Sequence, residues 1–258
     1  MKRVAVVGAA GQMGVHVLNA VAAAPDLTLG AALEHSGHPE LGKKVGPNIA
    51  LSSDLAAALE NCDVTIDFSS PDATLAMLRE AAPRGIAQVI ATTGFEAAQQ
   101  GEIEAAAQSC AIVQAANFSL GVNALIELVE RAAAQLPDYD LEVLEIHHNR
   151  KVDAPSGTAL RLGEAAASAR GQSLRDNAVY HREGQTGPRP SHSIGMQTLR
   201  GGDTVGEHTV FLVGPGERIE LTHRALSRDN FATGASRAAA WACSQGPGLY
   251  SMQDVLSR

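Results

Sequence analysis

Between Glu145 and Leu160 the chain sets two histidines, an arginine and a lysine (His147, His148, Arg150, Lys151) directly before a Pro-Ser-Gly-Thr sequence. An imidazole titrates near neutrality, so His147 can give a proton to a centre that reduction leaves electron-rich. Lys151 can supply a cation, and a proton, beside the same reacting centre. Ser156 is a good helix N-cap, and first-turn amides at Gly157 and Thr158 would face an anion. With His148 they form a grip for a carboxylate. Neighbouring strand residues point to opposite faces, so His147 and His148 do not converge on one ion, and no metal site is expected. The plainer reading of the same residues is a capped helix beside a basic loop.

A second group with chemistry in it lies at the other end of the chain. Gly8-Ala9-Ala10-Gly11-Gln12-Met13-Gly14 follows a short apolar strand and opens a helix. Glycines at such a bend let the backbone approach a pyrophosphate, whose charge is received by helix N-terminal amides. The spacing is GxxGxxG, a weak signal alone. Glu34 strengthens it, standing at the end of the next strand, about 20 residues on, where a carboxylate accepts from ribose hydroxyls. A carboxylate there repels a 2′-phosphate, and the following residue is His35 and not an arginine, so NADH is expected to serve at least as readily as NADPH. Ala91-Thr92-Thr93 and Ala115-Ala116-Asn117-Phe118 each end a predicted parallel strand, the sheet edge where ligands bind, and are expected beside the nicotinamide.

The elements that must hold these residues follow from periodicity. Val4 to Val7, Leu27 to Leu33, Asp63 to Phe68, Gln88 to Ala91 and Ala111 to Ala115 read as strands. Helices are predicted at Gln12 to Ala24, Asp54 to Leu59 with Ser53 as cap, after Ser70-Pro71-Asp72, and at Ala97 to Gln108. Such alternation implies a parallel sheet covered on both faces. After Asn117 the texture changes. Val122 to Leu136 is a long amphipathic helix and Leu141 to His148 an alternating strand. Val205 to Val213 and Arg218 to Leu226 read as antiparallel strands about Gly214-Pro215-Gly216, and Asn230 to Ser244 is helical. Gly184 to Pro190 reads as a flexible loop. The expected architecture is α/β: a Rossmann-type parallel-sheet domain (1–118 and 229–258) with an inserted α+β domain bearing a mixed sheet (119–228). Closure over substrate is expected at hinges near Asn117–Gly121 and Arg228–Asn230.

Bulk properties narrow the partners. A net charge of −8 with 3% aromatic residues excludes a surface built for phosphate backbones or base stacking, so no nucleic-acid partner is expected. Three scattered cysteines without a CxxC pair fit a reducing compartment. Met1 runs straight into strand-like residues with no signal peptide before them, and no apolar run reaches bilayer length. The expected protein is cytoplasmic, with no membrane partner.

The whole pattern resembles the dihydrodipicolinate reductase family (4-hydroxy-tetrahydrodipicolinate reductases). The resemblance rests on the Gly8–Gly14 turn, Gly30 to Glu34, Ile66-Asp67-Phe68, Thr92-Thr93-Gly94-Phe95, Ala116 to Ser119 and the His147-to-Thr158 block. Gly206-Glu207-His208-Thr209, Gly216-Glu217-Arg218 and Leu221-Thr222-His223 complete it. It runs nearly end to end, and the His147-to-Thr158 block is highly specific. It implies reduction of a small cyclic dicarboxylate, in lysine and diaminopimelate biosynthesis, by a homotetramer using NADH, NADPH or both. The positions carried over are His147 as proton donor or acceptor and Lys151 as second proton donor. His148, Gly157 and Thr158 would bind substrate, and Gly8 to Met13, Glu34, Ala91 to Thr93 and Ala115 to Phe118 the nucleotide. The chain departs from many relatives at His35 and Ser70, where arginines are common, and at Ala91, where glycine is. Two rival readings are another two-domain NAD(P)-dependent amino-acid dehydrogenase, which would not require the His-His-x-x-Lys block, and a dinucleotide-sensing module without turnover.

Overall fold

The computed structural model describes residues 1–257. The chain forms two compact units, Met1–Leu120 together with the chain from Arg228 onward, and Gly121–Ser227. The first unit opens with β1 (Lys2–Val7), α1 (Gln12–Ala23), β2 (Leu27–Leu33), β3 (Lys44–Gly46), β4 (Ile49–Ser52) and α2 (Leu55–Leu59). It continues with β5 (Val64–Asp67), α3 (Pro71–Ala81), β6 (Ala87–Ile90), α4 (Ala97–Ala106) and β7 (Ala111–Gln114). The second unit holds α5 (Leu120–Gln135), β8 (Asp140–His147), α6 (Gly157–Ala169), α7 (Leu174–Asn177), β9 (Ala178–Val179), β10 (Ile194–Arg200), β11 (Gly206–Gly214) and β12 (Glu217–Ala225). The chain then returns to the first unit through α8 (Asp229–Ala242), β13 (Gly248–Tyr250) and α9 (Met252–Leu256).

The first sheet has the order β13-β7-β6-β5-β1-β2-β4-β3. All neighbours are parallel except β3 and β4. Its central strands are apolar throughout because both faces are covered: Val4, Val64, Ile66, Val89 and Val113 are 1% exposed or less. From β1 the chain steps one way to β2 and then the other way to β5, so the crevice of this sheet opens at the carboxyl ends of β1 and β5. Helix α8 covers β5, β6 and β7 beside α1. It lies close because its inward stripe is small: Ala232, Ala235, Ala238, Ala239 and Ala242 are buried, and a Cβ on Gly234 would meet the Phe118 carbonyl oxygen at 1.7 Å.

Local chemistry sets the helix starts. Ser70 caps α3 by accepting from the Ala73 amide, with Pro71 at the first helical position and Asp72 in the first turn. The cap of α2 is Asp54, whose carboxylate accepts from Ala57 N at 3.0 Å, and not Ser53 as its position suggested. A carboxylate one residue later reaches the same amides and adds charge at the helix N-terminus.

The second sheet has the order β12-β11-β8-β10-β9 and is mixed. Strand β11 pairs antiparallel with β12 and β8, and β10 pairs parallel with β8 and β9. Its inner face carries Leu141 and Val143 (β8), Ile194 and Met196 (β10), and Val210 and Leu212 (β11), packed against α5 and α6. Burial of each such side chain contributes about 1.5–3 kcal/mol, which makes this face a firm support for what lies further along it. Strand β10 has no clear sequence signal because Gly195 interrupts it. That glycine is required: a Cβ there would stand 1.7 Å from the Glu142 carboxylate.

Candidate active site

In the first unit the turn after β1 is shaped by its glycines. Gly8 has φ +71°, a region open to glycine, and even a Cβ there would press on the Phe68 carbonyl at 3.1 Å. The Gly8 and Ala9 amides donate to Leu33 O at 3.0 and 3.1 Å, which ties the turn to the end of β2. Ala10 N donates to Glu34 Oε1 at 3.0 Å. Glu34, expected to accept from ribose hydroxyls, lies against this turn. A cavity of about 530 Å³ opens there, lined by Gly8, Gly11, Glu34, His35, Ser36, Ser69 and Ser70 among others, with no lysine or arginine among the described residues of its walls. Ala9, Ala10, Gln12 and Met13 complete the turn and the first residues of α1.

The neighbouring strand ends are joined by a buried carboxyl. Asp67, at the end of β5, is 1% exposed. Its Oδ1 accepts from Ser69 N at 2.9 Å and Ser69 Oγ at 2.5 Å, and lies 3.3 Å from Thr92 Oγ1. Burial pushes this carboxyl up, and hydrogen bonds from Ser69, Thr74 and Thr92 only partly offset it. Thr92 is thus a buried brace between strands, while Ala91 and Thr93 on either side are half-buried and exposed. Of the expected run after β7, Ala115, Ala116 and Asn117 retain accessible surface. Phe118 does not: its ring is 1% exposed and sits in the core 6.2 Å from the Phe68 ring.

In the second unit, strand register lays a polar row across the same face that carries the apolar core. Thr198, Glu145, His208 and His223 are successive cross-strand partners on β10, β8, β11 and β12, and Arg200 pairs with His147 one step further. Glu145 is fully buried and central. Its Oε2 accepts from His147 Nδ1 at 2.5 Å and Arg200 Nη1 at 2.7 Å. Its Oε1 accepts from Arg200 Nη2 and Ser156 N, each at 3.0 Å, and from Thr198 Oγ1 at 3.3 Å. Burial pushes this carboxyl up, but the hydrogen bonds from His147, Arg200 and Ser156 outweigh it and bring it down to about 2.

Ser156 caps α6, its Oγ accepting from Ala159 N at 3.2 Å while lying 2.9 Å from His208 Nε2. It was expected among the substrate-binding residues. The structure buries it at 2% exposure and turns its amide and hydroxyl inward. Its neighbours Gly157 and Thr158 are exposed and half-buried, at the first turn where helix amides point outward. The preceding loop is pinned by His148 N to Thr204 O at 2.8 Å and by Arg200 Nη2 to Asp153 O at 2.7 Å. On it Lys151 Nζ is held by Asp153 at 2.7 and 2.8 Å, and that hydrogen bond holds the Asp153 carboxyl below its usual range. His147 and Lys151 thus stand on separate carboxylates, one buried and one exposed.

Burial, with the nearby His147 charge, lowers His208 to about 4, so near neutrality its Nε2 accepts from the Ser156 hydroxyl. Between pH 6.5 and about 4 the unfolded chain takes up a proton at this position and the folded chain does not, so folding stability falls as pH falls. Above 6.5 neither form is charged there and the slope vanishes. Urea unfolding at pH 7 and pH 5 should show His208→Gln losing roughly 2 kcal/mol less than the wild type over that interval. Equal losses would remove His208 as the source.

Glu145, Arg200 and His208 received no role from sequence spacing. Glu145 had a usable signal, since alternation along β8 places it inward with Leu141 and Val143, where a carboxylate must find partners. Arg200 had none, because its strand was not legible.

Comparison with known proteins gives a consistent result. Residues 2–118 match the family model described as "Dihydrodipicolinate reductase, N-terminus", and residues 121–256 the one described as "Dihydrodipicolinate reductase, C-terminus". A 4-hydroxy-tetrahydrodipicolinate reductase from Anaeromyxobacter dehalogenans (strain 2CP-C) is 49% identical, covering 99% of this chain and 98% of its own length. One from Syntrophotalea carbinolica is 48% identical, covering 99% of each. Among solved structures, the dipicolinate-bound dihydrodipicolinate reductase from Paenisporosarcina sp. TG-14 superposes with a TM-score of 0.80 at 23% identity, covering 97% of each chain. A probable dehydrogenase from Thermotoga maritima gives 0.63 at 14% identity, covering 98% of this chain and 92% of its own. At those identities the structural likeness bears on the fold.

Proposed function

The chain belongs to the dihydrodipicolinate reductase family, and from that premise we infer that it reduces 4-hydroxy-tetrahydrodipicolinate, or its dehydrated form, to tetrahydrodipicolinate with NADH or NADPH, in lysine and diaminopimelate biosynthesis. One observation carries the chemistry: His147, anchored on buried Glu145, stands in the same polar cluster as the α6 N-terminus and the loop bearing Lys151. The first unit fits a dinucleotide, with a glycine turn that admits close backbone approach, the N-terminus of a 12-residue helix and an acidic residue against the turn. When bound, the nicotinamide supplies the hydride.

Everything else falls to the chain's own side chains. Gly8 to Met13 receive the pyrophosphate, Glu34 the ribose hydroxyls, and Ala91 to Thr93 with Ala115 to Phe118 flank the ring. His148 and the first-turn amides at Gly157 and Thr158 hold a substrate carboxylate, as the relative from Paenisporosarcina binds dipicolinate, a planar ring diacid. Lys151 brings a cation beside the imine and serves as a second proton source, while the one net proton that accompanies the hydride passes from the His147 ring to the atom that gains electrons. Ser156 acts from beneath, by holding the helix start. On this reading the first unit is the dinucleotide-binding domain and the second binds substrate and assembles a cytoplasmic homotetramer. No helix among the described residues is long and apolar enough to cross a membrane.

The cavity beside Glu34 presents His35, Ser36 and Ser70 and, among the described residues, no lysine or arginine, which supports NADH being used at least as readily as NADPH. The test is absorbance at 340 nm with freshly made synthase product, run with both cofactors in parallel. The expected result is kcat/KM for NADH equal to or above that for NADPH. A far lower Michaelis constant for NADPH would overturn the cofactor reading, and oxidation of neither would overturn the reaction.

A further inference from the structure

The proton steps above give Arg200 no part and Glu145 only that of an anchor, although the two form a densely bonded ion pair. We propose that Glu145, clamped by Arg200, is a positioning residue that holds His147 with its proton on Nδ1 and presents Nε2 to the substrate. The proposal rests on the reductase reading.

An ionised carboxylate accepts hydrogen bonds and donates none. Glu145 is held ionised, so its 2.5 Å contact with His147 Nδ1 requires that nitrogen to carry the hydrogen. Nε2 is then the working end of the ring: it takes up a proton to form the imidazolium and delivers that same proton, while Nδ1 keeps its own against Glu145. Gly206 lies against this end of the ring, where a Cβ would stand 2.9 Å from Nε2 and crowd it. Arg200 grips both carboxylate oxygens and makes the buried charge tolerable, since an unpaired carboxylate at full burial would take up a proton and turn donor.

The same pair also sets the other parts in register. Glu145 Oε1 accepts from Ser156 N and so anchors the start of α6, while Arg200 donates to Asp153 O in the loop of Lys151. One buried ion pair therefore fixes the acid–base ring, the anion-binding helix and the cationic loop to a common frame. A fixed tautomer matters because a ring presenting the wrong nitrogen cannot exchange the proton.

The experiment compares wild type and Glu145→Gln as full-length enzymes. Glutamine keeps the shape but can meet Nδ1 with either end of its amide. The expected result is a fall in kcat of roughly 10–10³-fold with the Michaelis constant for NADH unchanged and dipicolinate still bound. Imidazole ¹⁵N shifts should show His147 as the Nδ1–H form in wild type and as a mixture in the variant. Wild-type turnover in Glu145→Gln, or a wild-type His147 protonated on Nε2 when neutral, would overturn the proposal. The second readout needs no variant and so stands if Glu145→Gln fails to fold. A wild type that oxidises neither cofactor would sink the reductase reading instead, leaving the tautomer to be judged by its shifts.

Discussion

Lys151→Ala and His147→Ala are each expected to lower kcat by roughly 10²–10⁴-fold, the range for losing a positioned acid or base. NADH should still bind in both variants, because the glycine turn and Glu34 belong to the other compact unit. The two residues should fail differently. Lys151 is 19% exposed and paired with an Asp153 that is 59% exposed, so water already competes for the pair and a substrate carboxylate can displace the partner. Its loss should raise KM as well as lower kcat, since it removes binding in the ground state along with a proton source. His147 is 11% exposed and locked to a fully buried carboxylate, so its loss should appear mainly in kcat. Stopped-flow single turnovers with both variants separate the cases. Unchanged turnover in the two would remove the proposed proton steps.

The second large effect is expected at Gly14, which is buried within α1 and does not line the cavity beside Glu34. A Cβ at this position would lie 2.2 Å from the Gly8 carbonyl oxygen and 2.5 Å from the Ala9 carbonyl, all of it backbone that cannot rotate away. Helix α1 would have to withdraw from the turn. Gly14→Val is expected to cost on the order of 3 kcal/mol. The displaced parts are those proposed to hold the dinucleotide, so NADH affinity should fall roughly a hundredfold. A contrasting glycine makes the comparison sharp. Gly101, exposed within α4, has nothing within 4 Å of its would-be Cβ. Gly101→Ala should therefore stabilise by about 0.5–1 kcal/mol and leave NADH binding intact. Fluorescence titration with NADH and thermal melts read both effects. A Gly14→Val chain that binds NADH like the wild type would show that the close approach of α1 serves packing alone.

Much of the fold was legible locally. The strand at Leu27–Leu33 stands where its pattern placed it, and the Ser70-Pro71-Asp72 start opens α3 as its capping chemistry required. Helix α5 begins at Leu120, two residues before its amphipathic pattern suggested, within the usual uncertainty of helix ends. What escaped were β3, β9 and β13, with three residues or fewer, β4, whose four residues lack the buried apolar run of β5 to β7, and β10, with a glycine at its second position. Their stability comes from neighbours, and that is invisible along the chain.

The residues themselves determined that a glycine turn would open a helix, that an acid would end the next strand, and that His147, Lys151 and a capped helix start would lie within a dozen positions of one another. These are short-range relations, set by backbone preference and by the reach of a side chain along its own segment. Only the tertiary structure decided what stands beneath them. Arg200 meets Glu145 across 55 positions and His208 meets Ser156 across 52, because the sheet register brings β10 and β11 to either side of β8. Register follows from the burial of a whole sheet face, a property of many strands at once, and no local segment contains it.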